Sequence, residues 1–200
     1  MPTSRRRLLS AAVALATLHA CGGRRQGDAP LRLGHFPNIT HAAAILGVES
    51  GVFTGALAPL ALEVMTFNAG PAAIEALLSG GLDVAYLGPN PTINGFIRSG
   101  GAALRVIAGA TSGGAALVVA PSIRSAEDLR GRPVATPQLG GTQDVALRSW
   151  LLGQGIHTDP HGGGDVRVLP QENAQTLEAL RSGTIAGAWV PEPWASRLVL

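Results

Sequence analysis

The sequence contains no lysine: all 15 of its basic residues are arginine, against 13 acidic residues and a formal charge of +2. Arg5, Arg6 and Arg7 belong to an N-terminal leader, and from Cys21 onward 12 arginines meet 13 acids. Near neutrality without a basic stripe argues against a nucleic-acid partner, because neutralising phosphates takes clustered positive charge. Cysteine occurs once, as Cys21, so an internal disulfide, a Cys-x-x-Cys pair and a cysteine-rich metal centre are all excluded. No HExxH, GxSxG or phosphate-binding P-loop motif is present, which removes the common signatures of catalysis. The expectation is that the chain is not an enzyme, with no cofactor and no metal. Charged residues make up only 14% of the chain, so a ligand would be met chiefly by hydroxyls, amides and backbone dipoles.

Hydrophobic residues account for 46% of the 200 positions, and the 27 glycines and 14 prolines are spread among periodic segments. That distribution fits many short strand-to-helix loops better than disorder. One phrase occurs twice: IEALLSGGLDVAYLGPNP at 74–91 and LEALRSGTIAGAWVPEPW at 177–194. Glu75, Ala76, Leu77, Ser79, Gly80 and Ala85 recur as Glu178, Ala179, Leu180, Ser182, Gly183 and Ala188 at a constant offset. Each copy reads as an amphipathic helix, a Ser-Gly stop and a short apolar strand broken by proline. The repeat is too long for a solenoid and predicts an α/β protein of two similar lobes. Ligands of open parallel sheets collect at the carboxyl ends of strands, here GPNPTIN at 88–94 and WVPEPW at 189–194.

The first 20 residues have a basic start, an apolar run over 11–18 and small Ala20 before Cys21. They read as a signal peptide, too short to be comfortable as a permanent span, and Ser4-Arg5-Arg6-Arg7-Leu8-Leu9 is similar to a twin-arginine export motif. Leu18-His19-Ala20-Cys21 resembles a bacterial lipobox, with His19 departing from the usual small or apolar residue. The expectation is that Cys21 is acylated and that residues 21–30 form a polar, flexible tether.

From 31 to 112 the order is strand, helix, strand, helix, which we read as lobe I. Strands are expected at 31–34, 60–65, 84–87 and 105–108. Their carboxyl ends carry Asn38, Thr40 and His41, then Asn90 and Thr92, then Thr111 and Ser112. Asn38 or Thr40 is placed to cap the helix at 42–48, leaving N–H groups for an anion; His41 reads equally as a polar first-turn residue. Gly113-Gly114 begins the crossing, and 113–200 holds lobe II. There Gly141, Thr142 and Gln143 open a helix with Thr142 at the N-cap position. Trp189 and Glu192 stand at the end of the repeat's second strand, where a tryptophan serves either a pocket wall or the core.

The order and wording of these segments resemble the periplasmic substrate-binding proteins of ABC importers, in particular the nitrate, taurine and aliphatic-sulfonate group. The marks are EALLSGGLDVAYLGPNP, the loop GGTQD and EALRSGTIAGAWVPEPW. The resemblance implies a two-lobed clamp, each lobe a mainly parallel sheet flanked by helices, that closes on a small anionic solute. It further implies delivery to a membrane permease from the periplasm or cell surface, with the lipid on Cys21 holding a monomer at the membrane. By the resemblance, Gly141, Thr142 and Gln143 supply amides and a hydroxyl to an oxyanion. Chains of that group continue beyond the counterpart of Leu200 and cross back to complete lobe I, so a returning segment is expected to be missing here. A relative of the same fold makes the thiamin pyrimidine, and binding or synthesis of such a precursor is the alternative; that relative carries a cysteine-rich segment and metal-linked histidines.

Overall fold

The computed structural model describes residues 29–200. The expected signal peptide, Cys21 and nearly all of the tether lie outside the described residues.

Lobe I is built on β1 (Leu31–His35), flanked in parallel by β2 (Leu62–Thr66) and β3 (Val84–Ala85) in the order β2-β1-β3. Helices α1 (Ala42–Glu49), α2 (Val52–Leu57), α3 (Gly70–Leu78) and α4 (Pro89–Arg98) connect and cover these strands. Pro71 and the prolines at 89 and 91 fall in the first turns of α3 and α4, where a missing N–H costs nothing. A 3₁₀ turn at Ile39–His41 precedes α1.

Lobe II contains β4 (Ala115–Val119), β5 (Pro133–Thr136), α5 (Thr142–Gly153), a hairpin of β6 (Thr158–Asp159) and β7 (Gly163–Gly164), β8 (Arg167–Pro170), α6 (Asn173–Arg181), β9 (Gly187–Pro191) and α7 (Trp194–Val199). Its main sheet runs β4-β9-β5-β8, parallel except for β4, which pairs antiparallel with β9. Leu129, Val134, Leu147, Leu151, Ile156, Val166 and Val168 fill one face, and Ala135, Ile185, Ala188, Val190 and Ala195 the other. Full burial of each large side chain contributes roughly 1.5–3 kcal/mol, so this lobe has a two-faced core.

The repeated phrase folds the same way twice as far as the helix stop. Gly80 and Gly183 both adopt φ of 73°, and their N–H groups bond to Leu77 O and Leu180 O at 3.1 Å. Only glycine takes that left-handed conformation without strain, so the helix ends there in both copies. The strands beyond the two stops differ. Strand β9 is five residues long, whereas β3 is two, shorter than the expected 84–87.

One expected strand is absent. Residues 105–108 form no strand, and Val106 and Ile107 are 75% and 82% exposed. A strand exists only by pairing, and among the described residues nothing pairs with the side of β3 away from β1.

The chain crosses between lobes through Gly113 and Gly114, both with positive φ (74° and 75°). The crossing is tied down: Glu192 N–H donates to Gly114 O at 2.8 Å, Ile39 N–H to Glu192 O at 3.0 Å, and Thr111 Oγ1 to Thr40 O at 2.5 Å.

Candidate ligand cleft between the lobes

Parallel strands send their carboxyl ends to one rim. In lobe I that rim carries residues 36–41 after β1, Phe67-Asn68-Ala69 after β2, and Tyr86 to Gly88 after β3. Lobe II contributes Pro137 to Gln143 after β5. Between them lies a cavity of about 910 Å³ whose lining includes Phe36, Asn38, Thr40, His41, Asn68, Tyr86, Thr92, Thr111, Thr142 and Gln143. The two rims touch. Asn68 Nδ2 donates to Pro137 O at 3.2 Å, and Gly88 packs so closely on Thr142 that a Cβ there would overlap Oγ1.

The second-lobe loop is held rigidly by a buried ion pair. Asp144, 1% exposed, accepts the Thr136 hydroxyl at 3.1 Å, the Gly140 N–H at 3.0 Å and Arg148 Nε at 3.1 Å. An anionic side chain in the first turn also suits the positive end of the helix dipole. Gly140, with φ of 74°, makes the turn that brings the chain into α5.

The first-lobe loop is held by neutral contacts. His41 is buried, its ring 4.3 Å from Phe36 and 6.3 Å from Tyr86, and its Nδ1 accepts the Phe36 N–H at 3.3 Å. Burial, and secondarily the proximity of His35, push its pKa down to about 4. The ring is therefore uncharged at neutral pH. Of the charged side chains lining the cavity, Asp83 pairs with Arg32 at 2.7 Å, and Arg105 Nη1 donates to Gly101 O and Leu104 O at 2.6 and 2.8 Å. Asp83 is thus paired within lobe I, and Arg105 spends one of its nitrogens on two neutral carbonyls.

The structure gathers Asn38, Thr40, His41, Thr92, Thr111, Thr142 and Gln143 around this cavity. Asn90, Ser112 and Gly141 are not in its lining, and two further expectations are corrected. Trp189 packs into the lobe II core edge-on to Trp150, with ring centroids 6.5 Å apart. Alternation along β9 sends it to the α5 side, opposite Ala188 and Val190. The Glu192 carboxylate accepts the Ser196 N–H in the first turn of α7 at 3.1 Å, and its backbone is used in the crossing. The expected side-chain caps also differ. Asn38 makes no cap hydrogen bond, the N-cap of α1 is His41 rather than Asn38 or Thr40, and Gly141, not Thr142, is the N-cap of α5. Asn38 Oδ1 instead accepts the Trp194 indole N–H at 3.3 Å.

Asn68 and Tyr86 join the lining without having been expected there. For Asn68 a signal is present in the sequence: it lies just past β2 and before the Gly-Pro start of α3, the same position relative to its strand that Asn38 and Thr40 hold after β1.

The NMT1-like family matches over residues 24–200. A binding protein of Brucella abortus (strain 2308) is 28% identical over 131 residues, covering 64% of this chain and 38% of its own length. The alkanesulfonate-binding protein SsuA from Xanthomonas axonopodis pv. citri, solved bound to MOPS, superposes with a TM-score of 0.66 at 22% identity, over 86% of this chain and 57% of its own. The periplasmic nitrate-binding protein NrtA from Synechocystis PCC 6803 gives 0.64 at 21% identity, over 84% of this chain and 48% of its own. The chain thus spans well under two thirds of these proteins, and shares with the two solved ones the two-lobed α/β fold.

Proposed function

The chain belongs to the NMT1-like family, and from that premise we propose that it serves as the solute-binding component of an ABC importer of the sulfonate and nitrate type. In this reading it captures a small oxyanion such as an aliphatic sulfonate, taurine or nitrate in the periplasm or at the cell surface and hands it, as a monomer, to a permease. The observation that carries the proposal is the cavity at the strand ends of both lobes, rich in hydroxyls and amides, with Arg105 in its lining. The N-terminus of α5 contributes there roughly 0.3–1 kcal/mol toward an anion. Several charge-assisted hydrogen bonds at about 1.5–3 kcal/mol each would, after losses, leave the ~8 kcal/mol of micromolar affinity. The Brucella, Xanthomonas and Synechocystis relatives are binding proteins, which supports transport over catalysis.

A neutral heteroaromatic ligand, such as a thiamin-pyrimidine precursor, is the second reading, favoured by the rings of Phe36, His41 and Tyr86 at the cavity wall. A thermal-shift screen of residues 22–200 separates the two, since a ligand of the native state raises apparent stability by mass action. Stabilisation by a sulfonate or nitrate supports the oxyanion reading; stabilisation by hydroxymethylpyrimidine alone replaces it.

We also propose that Cys21 is acylated and holds the protein at the outer face of the cytoplasmic membrane, from the Leu-His-Ala-Cys sequence ending an apolar run. Palmitate label present in wild type and absent in Cys21→Ala is the expected result. Equal label in both, or none in either, removes the anchor.

A further inference from the structure

A chain needs glycine where it turns with positive φ, or where another group comes too near for a side chain. Gly88 has φ of −71° and ψ of 162°, an extended conformation open to any residue. Capping does not ask for glycine either, since Asn, Asp and Ser serve better than Gly at the head of a helix. The reason for Gly88 therefore lies in the space beside it. A Cβ at this position would overlap Thr142 Oγ1 and stand 3.1 Å from Thr142 Cβ and 3.7 Å from Thr142 Cγ2. Beyond its chain neighbours these are the three nearest heavy atoms, and all belong to lobe II. Turning the threonine about χ1 would clear Oγ1 but leave its Cβ inside the roughly 3.5–4.0 Å at which carbon atoms pack.

The backbone at Gly88 is not free to give way. Its carbonyl accepts the Thr92 hydroxyl at 2.8 Å and the Thr92 N–H at 3.4 Å, both within lobe I. On the other side, Thr142 follows the buried Gly141 in the anchored loop that opens α5. We propose that Gly88 is the stop of the clamp: its missing side chain lets the start of α5 seat against the start of α4, and so sets how closely the two rims approach. The Asn68 amide, donating to the carbonyl of buried Pro137 at 3.2 Å, fastens the same approach from the end of β2. Gly88, Thr142, Asn68 and Pro137 all border the cavity, so the contact fixes its width. Gly88 is thereby a positioning residue for Thr142, a consequence that rests on the cavity being the solute site of the proposed function; the contact itself does not depend on that reading.

The separation of the rims is measurable without a solute. Spin labels on Asn94→Cys in α4 and Ser149→Cys in α5, two exposed positions, report it by pulsed electron–electron double resonance in a Cys21→Ala background. The distance is expected to lengthen in Gly88→Ala and to lengthen further in Gly88→Leu, with the far-ultraviolet circular dichroism unchanged. Adding Thr142→Gly to Gly88→Ala removes the atoms that the new Cβ would meet and should restore the wild-type distance. Where Gly88→Leu does not fold, Gly88→Ala and the double variant carry the test alone. The same distance in wild type and Gly88→Ala, or a lengthening that Thr142→Gly fails to reverse, would overturn the proposal. Either result leaves the transport reading standing, since that reading fails only in the thermal-shift screen.

Discussion

In lobe II the repeat strand β9 lies between β5 and an antiparallel β4, and Ala188 and Val190 are completely buried. In lobe I its counterpart β3 has, among the described residues, a partner on one side only, and Val84 and Ala85 are half-buried. On the other edge of that sheet β2 leaves Val64 and Met65 38% and 43% exposed. The two repeat strands are written in closely similar residues and come after identical helix stops. Their burial therefore depends on which strands flank them, since a strand's neighbours and not its own propensity set how much of it is removed from water. The loops at the cleft differ in the same direction: an ion pair anchors that of lobe II, and an uncharged ring contact that of lobe I.

If this contrast is right, the largest effects come from the lobe II anchor. Asp144→Ala removes the carboxylate that holds Arg148, whose Nη1 and Nη2 are already buried with no hydrogen-bond partner among the described residues. Breaking a buried pair from one side costs about 3–5 kcal/mol. Urea denaturation should show a loss of that order, and a loss under about 1 kcal/mol would mean the loop is not anchored in this way.

Core truncation comes next in size and separates the two sheets. Leu151, fully buried, should cost about 2–5 kcal/mol on replacement by Ala, whereas Val64→Ala on β2 should cost less than about 1 kcal/mol. Similar losses at the two sites would erase the difference between the sheets.

The last effect concerns the ring in lobe I and appears only below neutral pH. His41 titrates from an ordinary 6.5 in the unfolded chain but only near 4 in the fold, so between those values the unfolded state binds the extra proton. Stability is fully present above about pH 6.5 and falls as pH drops toward 4, with a slope approaching roughly 1.4 kcal/mol per pH unit. His41→Gln should flatten the pH profile in that window; an unchanged slope would show that the ring is not buried as neutral imidazole.

Local signals made much of this fold legible in the sequence. The Ser-Gly stops, Pro71 at the start of α3, the glycines of the crossing and the carboxyl-edge position of Thr40, His41, Thr92, Thr111, Thr142 and Gln143 all come from patterns within a few residues. The misses depend on partners far along the chain. Residues 105–108 have a strand's composition but, among the described residues, no neighbour to pair with. Trp189 could face the cleft or the core until α5 and Trp150 decide which side of β9 is inside. Asn38 has the composition of a cap, yet its oxygen is taken by Trp194, 156 positions away.

The proposed function requires a small solute between the two rims, with the N-terminus of α5 contributing from lobe II. Calorimetric titration of the wild type and Thr142→Ala with the most tightly bound sulfonate from the thermal-shift screen is the decisive test. Removing the hydroxyl while keeping the backbone donors should weaken binding by about 1–3 kcal/mol without abolishing it. Unchanged affinity in a folded Thr142→Ala protein would refute the clamp reading and move the site elsewhere.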